Sequence, residues 1–505
     1  MVEIDSARLV RGSAYLVTQS VVTTLIGAIA LAFIARILTQ AEMGVTVALT
    51  LTQVMAQVLS DLGFSIGLTK YVAEYRGKEA DYTFVSFGAV LIKVLTAGSA
   101  AALCVLTSPW LSGFLLKSEE YTFLFQLLSI SLLAFCFRIT INNLLLGVNR
   151  IREMAIFNVI SAFTGKASAV GFLLCGFGLV GLIVGWILGE LAFTILGVLI
   201  IVRNRYVRIH PIREVVPYLK TLAKFSCPLF IANVVSFLYG WFDQALLLAY
   251  VPLSEVAVYN IALQAFTVLS VIPLALSNTL LPYYSEQYGK NEQQTIAVGV
   301  HGSSRYIALL YTPLALGLMV TANPAITLFA GSTYANSDVI LSILCLFGGL
   351  SGLAAAFSGL LLVYNMTPSV LLINIISIIG SMVLLPVLLP SFGVTGMAII
   401  KGAAMMMSLL LTIIVLRRRV PIKFDGEAVW KSWVAAVIMF AAVWLIERIY
   451  FSPYLLPIYI VVGGATYAIA LRLLRTVGEN DIRLIRNFLG KKGTIVTNIV
   501  EKVLV

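Results

Sequence analysis

Apolar stretches of about 20 residues recur along the whole chain, separated by short polar segments. Each stretch is long enough to cross roughly 30 Å of hydrocarbon as an α-helix. The pattern predicts about fourteen spans, at residues 12–36, 43–69, 84–107, 121–148, 154–175, 179–202, 225–251, 256–282, 303–322, 338–363, 369–389, 393–416, 429–446 and 454–474. We therefore expect an all-α polytopic membrane protein.

Composition agrees with this pattern. The 505 residues are 60% hydrophobic and only 11% charged, and the mean hydropathy is +1.00. A soluble protein of this length needs more charge to cover its surface. No loop is long enough to hold a soluble catalytic domain.

The lysines and arginines indicate an orientation. With fourteen spans, 27 of the 34 basic residues fall on one side of the membrane, three on the other and four inside it. The positive-inside rule makes the crowded side cytoplasmic, and an even number of spans puts both termini there. We expect a multi-pass protein of the cell membrane. Its net charge of +11 then reflects contact with membrane lipids and predicts no nucleic-acid partner.

The chain repeats itself at a spacing near 214 residues. Glu42 aligns with Glu255, and the glycine-containing turn at 178–181 aligns with the turn at 393–396. Two six-helix units in tandem have the same orientation, so the repeat predicts two parallel lobes plus two C-terminal helices. The expected parts are an N-terminal lobe at 1–202, a basic cytoplasmic linker at 203–224, a C-terminal lobe at 225–420, helices 13 and 14 at 421–474, and an amphipathic cytoplasmic tail at 475–505.

Seven charged residues fall deep inside predicted spans. The cations are Lys93, Arg138, Lys166 and Lys401, and the acids are Asp61, Glu190 and Asp243. A charge facing lipid costs several kcal/mol, so these groups should face a wet cavity or one another. Ion pairs within the first lobe are one interpretation, and snorkelling of Lys93 is another. The surplus of positive charge also suits an anionic substrate such as phosphate or pyrophosphate.

Polar side chains also recur at helical spacing. Helix 7 carries Asn233, Ser236, Gly240 and Asp243 on one face, helix 8 carries Asn260 and Gln264, and helix 2 carries Gln53 and Gln57. Any one of these residues can serve helix–helix hydrogen bonding. Together they predict a hydrated cleft between the lobes that binds hydroxyl-rich groups.

Catalytic motifs are missing from the sequence. It has two histidines, no Gly-x-Ser-x-Gly elbow, no phosphate-binding Gly-Lys-Ser/Thr loop, and five cysteines without metal spacing. We therefore expect no enzyme, no metal and no cofactor. Asp61, Glu190 and Asp243 are candidates to bind a coupling H⁺ or Na⁺.

Several segments resemble the polysaccharide transporter (oligosaccharide flippase) branch of the multidrug/oligosaccharidyl-lipid/polysaccharide exporter superfamily. They are the turn Ala35–Gly44, Asp61–Phe64 with Lys70–Tyr75, Asp243 with Glu255–Ala262, Leu281–Ser285, and Gly393–Gly396. Met43 replaces the usual aromatic residue, and Ala257 stands where glycine is common. The resemblance covers about residues 8–420.

This resemblance implies a flippase that moves a polyprenyl-diphosphate-linked oligosaccharide from the cytoplasmic to the outer leaflet by alternating access. Arg36, Lys93, Arg138, Lys166 and Lys401 are then candidates to neutralise phosphate charge, although Arg36 is also placed to anchor helix 1 or to pair with Glu42. Glycosyltransferases and a polymerase are candidate partners. The alternatives are an exporter of another amphiphile, such as a lipid II-like precursor, or a cation-coupled multidrug antiporter. The antiporter is less favoured, since helix 1 holds no acid between Ser13 and Ala35.

Overall fold

The computed structural model describes residues 2–418 and 424–476. In that part of the chain the regular structure is entirely helical, which confirms the predicted all-α class. Nearly all of the predicted amphipathic tail at 475–505 lies outside the described residues, and so do Arg419 and Lys423 of the basic segment before helix 13.

The described residues form seventeen α-helices and three short 3₁₀ segments, connected by turns. The helices are α1 (Val2–Ile37), α2 (Gln40–Asp61), α3 (Phe64–Gly77), α4 (Thr83–Leu106), α5 (Ser108–Leu116), α6 (Thr122–Gly147), α7 (Ile151–Leu174), α8 (Gly178–Asn204), α9 (Ile212–Tyr250), α10 (Leu253–Gly289), α11 (Gln293–Val320), α12 (Ala322–Ala330), α13 (Ser337–Ser351), α14 (Ala354–Val363), α15 (Thr367–Arg417), α16 (Gly426–Ile449) and α17 (Leu456–Leu473). The 3₁₀ segments are Glu119–Tyr121, Ser332–Tyr334 and Pro453–Leu455.

A capping box starts α2. The Glu42 backbone N–H donates to the Thr39 side-chain oxygen at 3.3 Å, and the Thr39 N–H donates to the Glu42 carboxylate at 2.9 Å. Two backbone donors that would otherwise lack partners are satisfied in this way. Glu42, which lies in the first repeat segment, therefore has a local structural role at the turn after α1.

The predicted span 43–69 is wrong as a single helix, because the chain bends between α2 and α3. Leu62 and Gly63 both have positive φ, at 50° and 76°. Gly63 also lies against α9: a Cβ there would be 2.6 Å from the Ser226 carbonyl oxygen. Only a residue without a side chain allows both the left-handed backbone and this approach.

A second break separates two helical segments of α15. Gly393 has φ 54° and ψ −135°, and 51 residues of continuous helix would be about 77 Å long, far more than one membrane thickness. A Cβ at Gly380 would meet the Met407 side chain, and one at Gly396 would meet the Leu388 carbonyl oxygen. The two segments therefore fold back on each other as a hairpin, which agrees with the predicted spans 369–389 and 393–416.

Twelve described helices are long and apolar enough to cross a membrane, and α13 with α14 adds a thirteenth if this pair, bent by 52°, is one span. The twelve include α15 as a single helix, and dividing α15 at Gly393 gives a number of spans close to the predicted fourteen. The protein is a multi-pass membrane protein.

The chain divides into two compact units, Met1–Asn260 and Ile261–Val505. In the first unit α7 packs along α1 and α8, α6 packs against α4 and α8, and α9 packs against α2, α3 and α4. In the second unit α11 packs against α13 and α16, and α17 packs against α16. The predicted lobe boundaries at 202 and 225 stay a prediction.

Candidate functional site

A cavity of about 420 Å³ lies in the first unit among α2, α3, α6 and α9. Its polar lining comes from Gln57, Asp61, Ser65, Asn143, Asn233 and Ser236. Its apolar lining includes the aromatic rings of Phe237 and Trp241. We call it the amide cavity. Three positions of the predicted helix 7 stripe, Asn233, Ser236 and Gly240, reach it together.

An ion pair stands at the wall of the amide cavity. Lys93 of α4 donates to Asp61 of α2 at 2.8 Å, and the two residues are only 3% and 5% exposed. The Ser65 hydroxyl also donates to Asp61, so two donors hold this carboxylate. Pairing inside the first unit was one of the interpretations left open for Lys93, beside snorkelling and phosphate binding. The burial of Lys93 argues against snorkelling to the interface.

A second ion pair joins α6 to α8. The Arg138 guanidinium donates to the Glu190 carboxylate, and both side chains are about one-fifth exposed, at 21% and 17%. Arg138 also donates to the Asn158 side-chain oxygen at 3.3 Å and lies 4.9 Å from the Phe135 ring centroid. Asn158 in turn donates to Asn142 at 2.9 Å, so one polar network connects α6, α7 and α8.

Lys166 differs from the other two cations of the first unit. It is half-buried on α7, and no ion pair or hydrogen bond joins it to any residue in the described ranges. Glu190 attracts it electrostatically while pairing with Arg138. Three deep cations thus face two carboxylates, and the network around Glu190 keeps a surplus of positive charge.

The remaining amides mostly bond to neighbouring helices. Gln53 donates to Ser131 at 3.2 Å, and Asn260 donates to Gln244 at 3.4 Å. Asp243 is fully buried and accepts from the Tyr259 hydroxyl at 2.6 Å. Asp243 therefore lies apart from the amide cavity lining, although it continues the same helical stripe.

The other predicted site residues lie elsewhere in their units. In the first unit Arg36 is exposed near the end of α1. In the second unit Gln264 is exposed on α10, whereas Lys401 is buried on α15 at 8% exposure. Within its own unit, Arg36 is not among the described residues that line the amide cavity.

Sequence reasoning missed the asparagines that connect the two clusters. The backbone carbonyl oxygen of Asn143 accepts a hydrogen bond from the Thr69 hydroxyl at 2.9 Å, and Asn143 lines the amide cavity. The adjacent Asn142 belongs to the Glu190 network. Neighbouring residues on a helix point about 100° apart, so α6 serves both clusters. The consecutive pair Asn142–Asn143 in an apolar span was the available signal.

The chemistry of these groups fits binding better than catalysis. Amides, hydroxyls and aromatic rings suit a sugar, and guanidinium and ammonium groups suit phosphate. Within residues 2–418 and 424–476, no three His, Cys, Asp or Glu side chains are grouped closely enough to hold a metal ion.

Comparison with protein families gives two matches. A family profile described as "Polysaccharide biosynthesis protein" matches residues 9–287, and one described as "MatE" matches residues 228–387. Among individual proteins, the probable low-salt glycan biosynthesis flippase Agl15 of Haloferax volcanii is 24% identical over 220 residues, which are 44% of this chain and 47% of that protein. The succinoglycan biosynthesis transport protein ExoT of Rhizobium meliloti is 24% identical over 319 residues, which are 63% and 61% of the two chains. The match thus covers less than two thirds of either relative.

Solved structures share the fold. A lipid II flippase, MurJ, in an inward closed conformation superposes with a TM-score of 0.75 at 16% identity, covering 90% of this chain and 97% of that chain. An inward-facing multidrug resistance MATE family transporter of the MOP superfamily gives a TM-score of 0.67 at 14% identity, covering 80% and 98%. At these identities the likeness establishes architecture.

Proposed function

The chain belongs to the polysaccharide biosynthesis protein family of membrane transporters, and on that basis we propose that it is a lipid-linked glycan flippase. Its substrate in this proposal is a polyprenyl-diphosphate-linked oligosaccharide, moved from the cytoplasmic to the outer leaflet of the cell membrane by alternating access. Both termini are cytoplasmic, as the distribution of basic residues favours. The names of the relatives, a glycan biosynthesis flippase and a succinoglycan transport protein, support this class of substrate.

The observation that carries the proposal is the amide cavity beside the Glu190 network. Gln57, Asn143 and Asn233 offer amide donors and acceptors, and Trp241 offers a ring face, at one cavity inside a membrane protein. An apolar drug in this cavity would leave the amides without hydrogen-bond partners, which costs free energy in a dry site. Sugar hydroxyls satisfy both kinds of amide group.

The phosphate end of the substrate needs positive charge that the protein does not already neutralise. Lys166 supplies it best in the first unit, because Arg138 and Lys93 are paired with carboxylates. In the proposal Arg138 rearranges its bond with Glu190 when phosphate arrives, and Lys401 serves the second unit. Lys93, held by Asp61, is the weakest phosphate candidate of the four. The prenyl tail stays in lipid.

Another amphiphile with a diphosphate and sugars, such as lipid II, is the second candidate substrate. The specific observation in its favour is that the lining combines amides with aromatic rings, groups that suit the sugars of lipid II as well. Asp61, Glu190 and Asp243 are the candidates to bind H⁺ or Na⁺ in the alternative that an ion gradient, and not the membrane potential, drives transport. Glycosyltransferases and a polymerase are proposed partners that supply and consume the substrate.

Reconstitution in sealed vesicles tests the function. Fluorescent polyprenyl-diphosphate oligosaccharide, lipid II and a cationic dye are compared in vesicles with and without the protein. We expect the lipid-linked oligosaccharide to cross faster than in empty vesicles. Extrusion of the dye without acceleration of the lipid would contradict the proposal.

The site is tested by Lys166→Gln, Arg138→Gln and Lys401→Gln, with Arg203→Gln as a control that removes an exposed charge at the end of α8. Loss of a charge-assisted contact of about 1.5–3 kcal/mol should slow flipping about tenfold or more. Size-exclusion profiles establish that each variant is folded. Unchanged rates in all three variants would remove the anion role while leaving the transporter class intact.

A further inference from the structure

A second cavity, of about 710 Å³, opens at the end of the first unit where α6 turns into α7. Arg76, Arg150 and Arg152 line it together with Glu153, so the charged side chains have a formal sum of +2. Tyr15, Val148 and Ile151 add an apolar side to the same cavity. We call it the arginine cavity. It contains none of the amide cavity residues.

The turn holds Arg150 in place. Asn149 has φ 62°, and the Arg150 N–H donates to the Leu145 carbonyl oxygen at 2.8 Å, which closes the end of α6. The Arg150 side chain donates to the Tyr206 hydroxyl at 2.9 Å and to Glu153 at 2.8 Å. Its guanidinium is therefore positioned before any ligand arrives, and less conformational entropy is lost on binding.

The guanidinium groups of the other two arginines are not neutralised by any acid among the described residues. Arg76 and Arg152 are exposed, and neither guanidinium makes an ion pair or a hydrogen bond with the residues described in the structure. The first turn of α7 faces the same cavity, and its N-cap residue, Arg150, provides no side-chain acceptor for the helix N–H groups. Free guanidinium groups and an uncapped helix N-terminus both attract anions, and phosphate fits both.

The apolar side of the cavity indicates that the phosphate is carried by a lipid. Tyr15, Val148 and Ile151 lie near the ends of membrane-spanning helices, where head groups meet water and tyrosine is enriched. We propose that the arginine cavity binds the phosphate-bearing head group of a lipid in the cytoplasmic leaflet. The site stands whether or not the amide cavity carries sugar, because it shares no residue with that cavity.

Calorimetric titration of the detergent-purified full chain tests this site without any transport measurement. The probes are farnesyl diphosphate, short-chain phosphatidylglycerol and inorganic pyrophosphate. We expect binding of at least one of the two lipid probes to weaken about tenfold in Arg76→Gln/Arg152→Gln, because two charge-assisted contacts are lost, and to stay unchanged in Arg203→Gln. Glu153→Gln should strengthen binding severalfold, since it removes a negative charge from the lining that the structure describes.

Each outcome decides the proposal. Selective loss in the double variant supports the site, and the lipid probe that is affected identifies the source of the phosphate. Equal loss in Arg203→Gln would mean that binding is diffuse surface attraction, and no loss in either variant would mean that the lipid binds elsewhere. Either result would overturn the proposal. Pyrophosphate that binds as tightly as both lipids would assign the cavity to a soluble anion and overturn the lipid assignment. Both altered arginines are exposed, and size-exclusion profiles verify the fold.

Discussion

The two ion pairs of the first unit differ in how deeply their side chains are buried. The Lys93–Asp61 pair is almost fully buried, whereas the Arg138–Glu190 pair is partly open and has Lys166 beside it. A buried pair that already satisfies itself is costly to break and gains little by exchanging its partner for a ligand. We therefore propose that the first pair serves structure and that the second cluster serves substrate charge.

Removing one member of the buried pair should unfold the protein more easily. Lys93→Met leaves the Asp61 carboxylate without its cation, and we expect a loss of about 3–5 kcal/mol in the free energy of unfolding. Lys93→Met/Asp61→Asn should recover most of that loss. Thermal unfolding in detergent measures both. Lys78→Met is the control, because it breaks the exposed Lys78–Glu74 pair and should change little. A Lys93→Met protein as stable as the control would contradict the assignment.

Asp425 gives the second unit a pH-dependent contact at the start of α16. Burial opposes its ionisation, but hydrogen bonds from the Ala428 N–H and Arg305, and the charge of Arg305, outweigh burial and lower the pKa of this carboxyl. A folded-state pKa below the unfolded value of about 3.9 adds stability that is present above that value and is lost as the pH falls through the folded pKa.

Asp425→Asn should therefore destabilise the protein by about 1–3 kcal/mol at neutral pH. The difference from the unaltered protein should be present at neutral pH and should shrink below about pH 4, where the carboxyl begins to protonate in the unfolded chain. Melting temperatures in detergent across this range check the result. A difference that does not shrink below about pH 4 would mean that the charge of the carboxylate, with Arg305 2.9 Å and His301 3.5 Å away, contributes nothing to stability.

At the scale of elements, small residues set the distance between α7 and α8. A Cβ at Gly189 would be 2.7 Å from the Gly165 Cα and 2.8 Å from the Ser161 carbonyl oxygen. Such contacts are shorter than real Cβ atoms make, so the helices would have to separate. Gly165 and Gly189 directly precede Lys166 and Glu190, and the close packing of the helices thus brings those charges together.

Gly189→Ala should destabilise the protein by about 1–3 kcal/mol, because the added methyl group overpacks the α7–α8 contact. If the network around Glu190 binds phosphate, flipping should also slow more than the loss of folded protein explains. Gly171→Ala is a matched control in α7, since a Cβ there meets nothing within 4 Å and alanine favours the helix. Equal stability of the two variants would show that the helices can separate without cost.

Most elements could be predicted from the sequence because membrane spans carry a long, strong apolar signal. The two breaks at Gly63 and Gly393 show where that signal is insufficient. Gly393 was marked by the repeated glycine-containing turn, so the two spans around it were predicted. The break at Gly63 depends on how closely α9 approaches, a contact about 160 residues away in sequence that no local pattern records.

The sequence predicted which residues of the candidate site share a helix face, but not which charged residues pair with each other. Helical spacing placed Asn233, Ser236 and Gly240 on one face, and the structure brings them to one cavity. Which cation pairs with which acid depends on tertiary packing, and the sequence left the pairing of Lys93, Arg138 and Lys166 open. Only the packed helices assign Asp61 to Lys93 and Glu190 to Arg138.

For the whole molecule, the proposed transport moves an anionic head group across the membrane field. An interior-negative potential favours outward movement by about 2.3 kcal/mol per charge per 100 mV, about a 40-fold change in the equilibrium ratio for one net charge. Vesicles with a potassium gradient and valinomycin set this potential, and the final distribution of labelled lipid-linked oligosaccharide measures the charge moved. We expect the labelled lipid-linked oligosaccharide to accumulate on the positive side, and this accumulation to reverse when the potassium gradient is reversed.

A distribution that ignores the potential but follows an imposed proton or sodium gradient would contradict this prediction. The driving force would then be assigned to an acid such as Glu190 or Asp243, each testable by substitution with Gln or Asn.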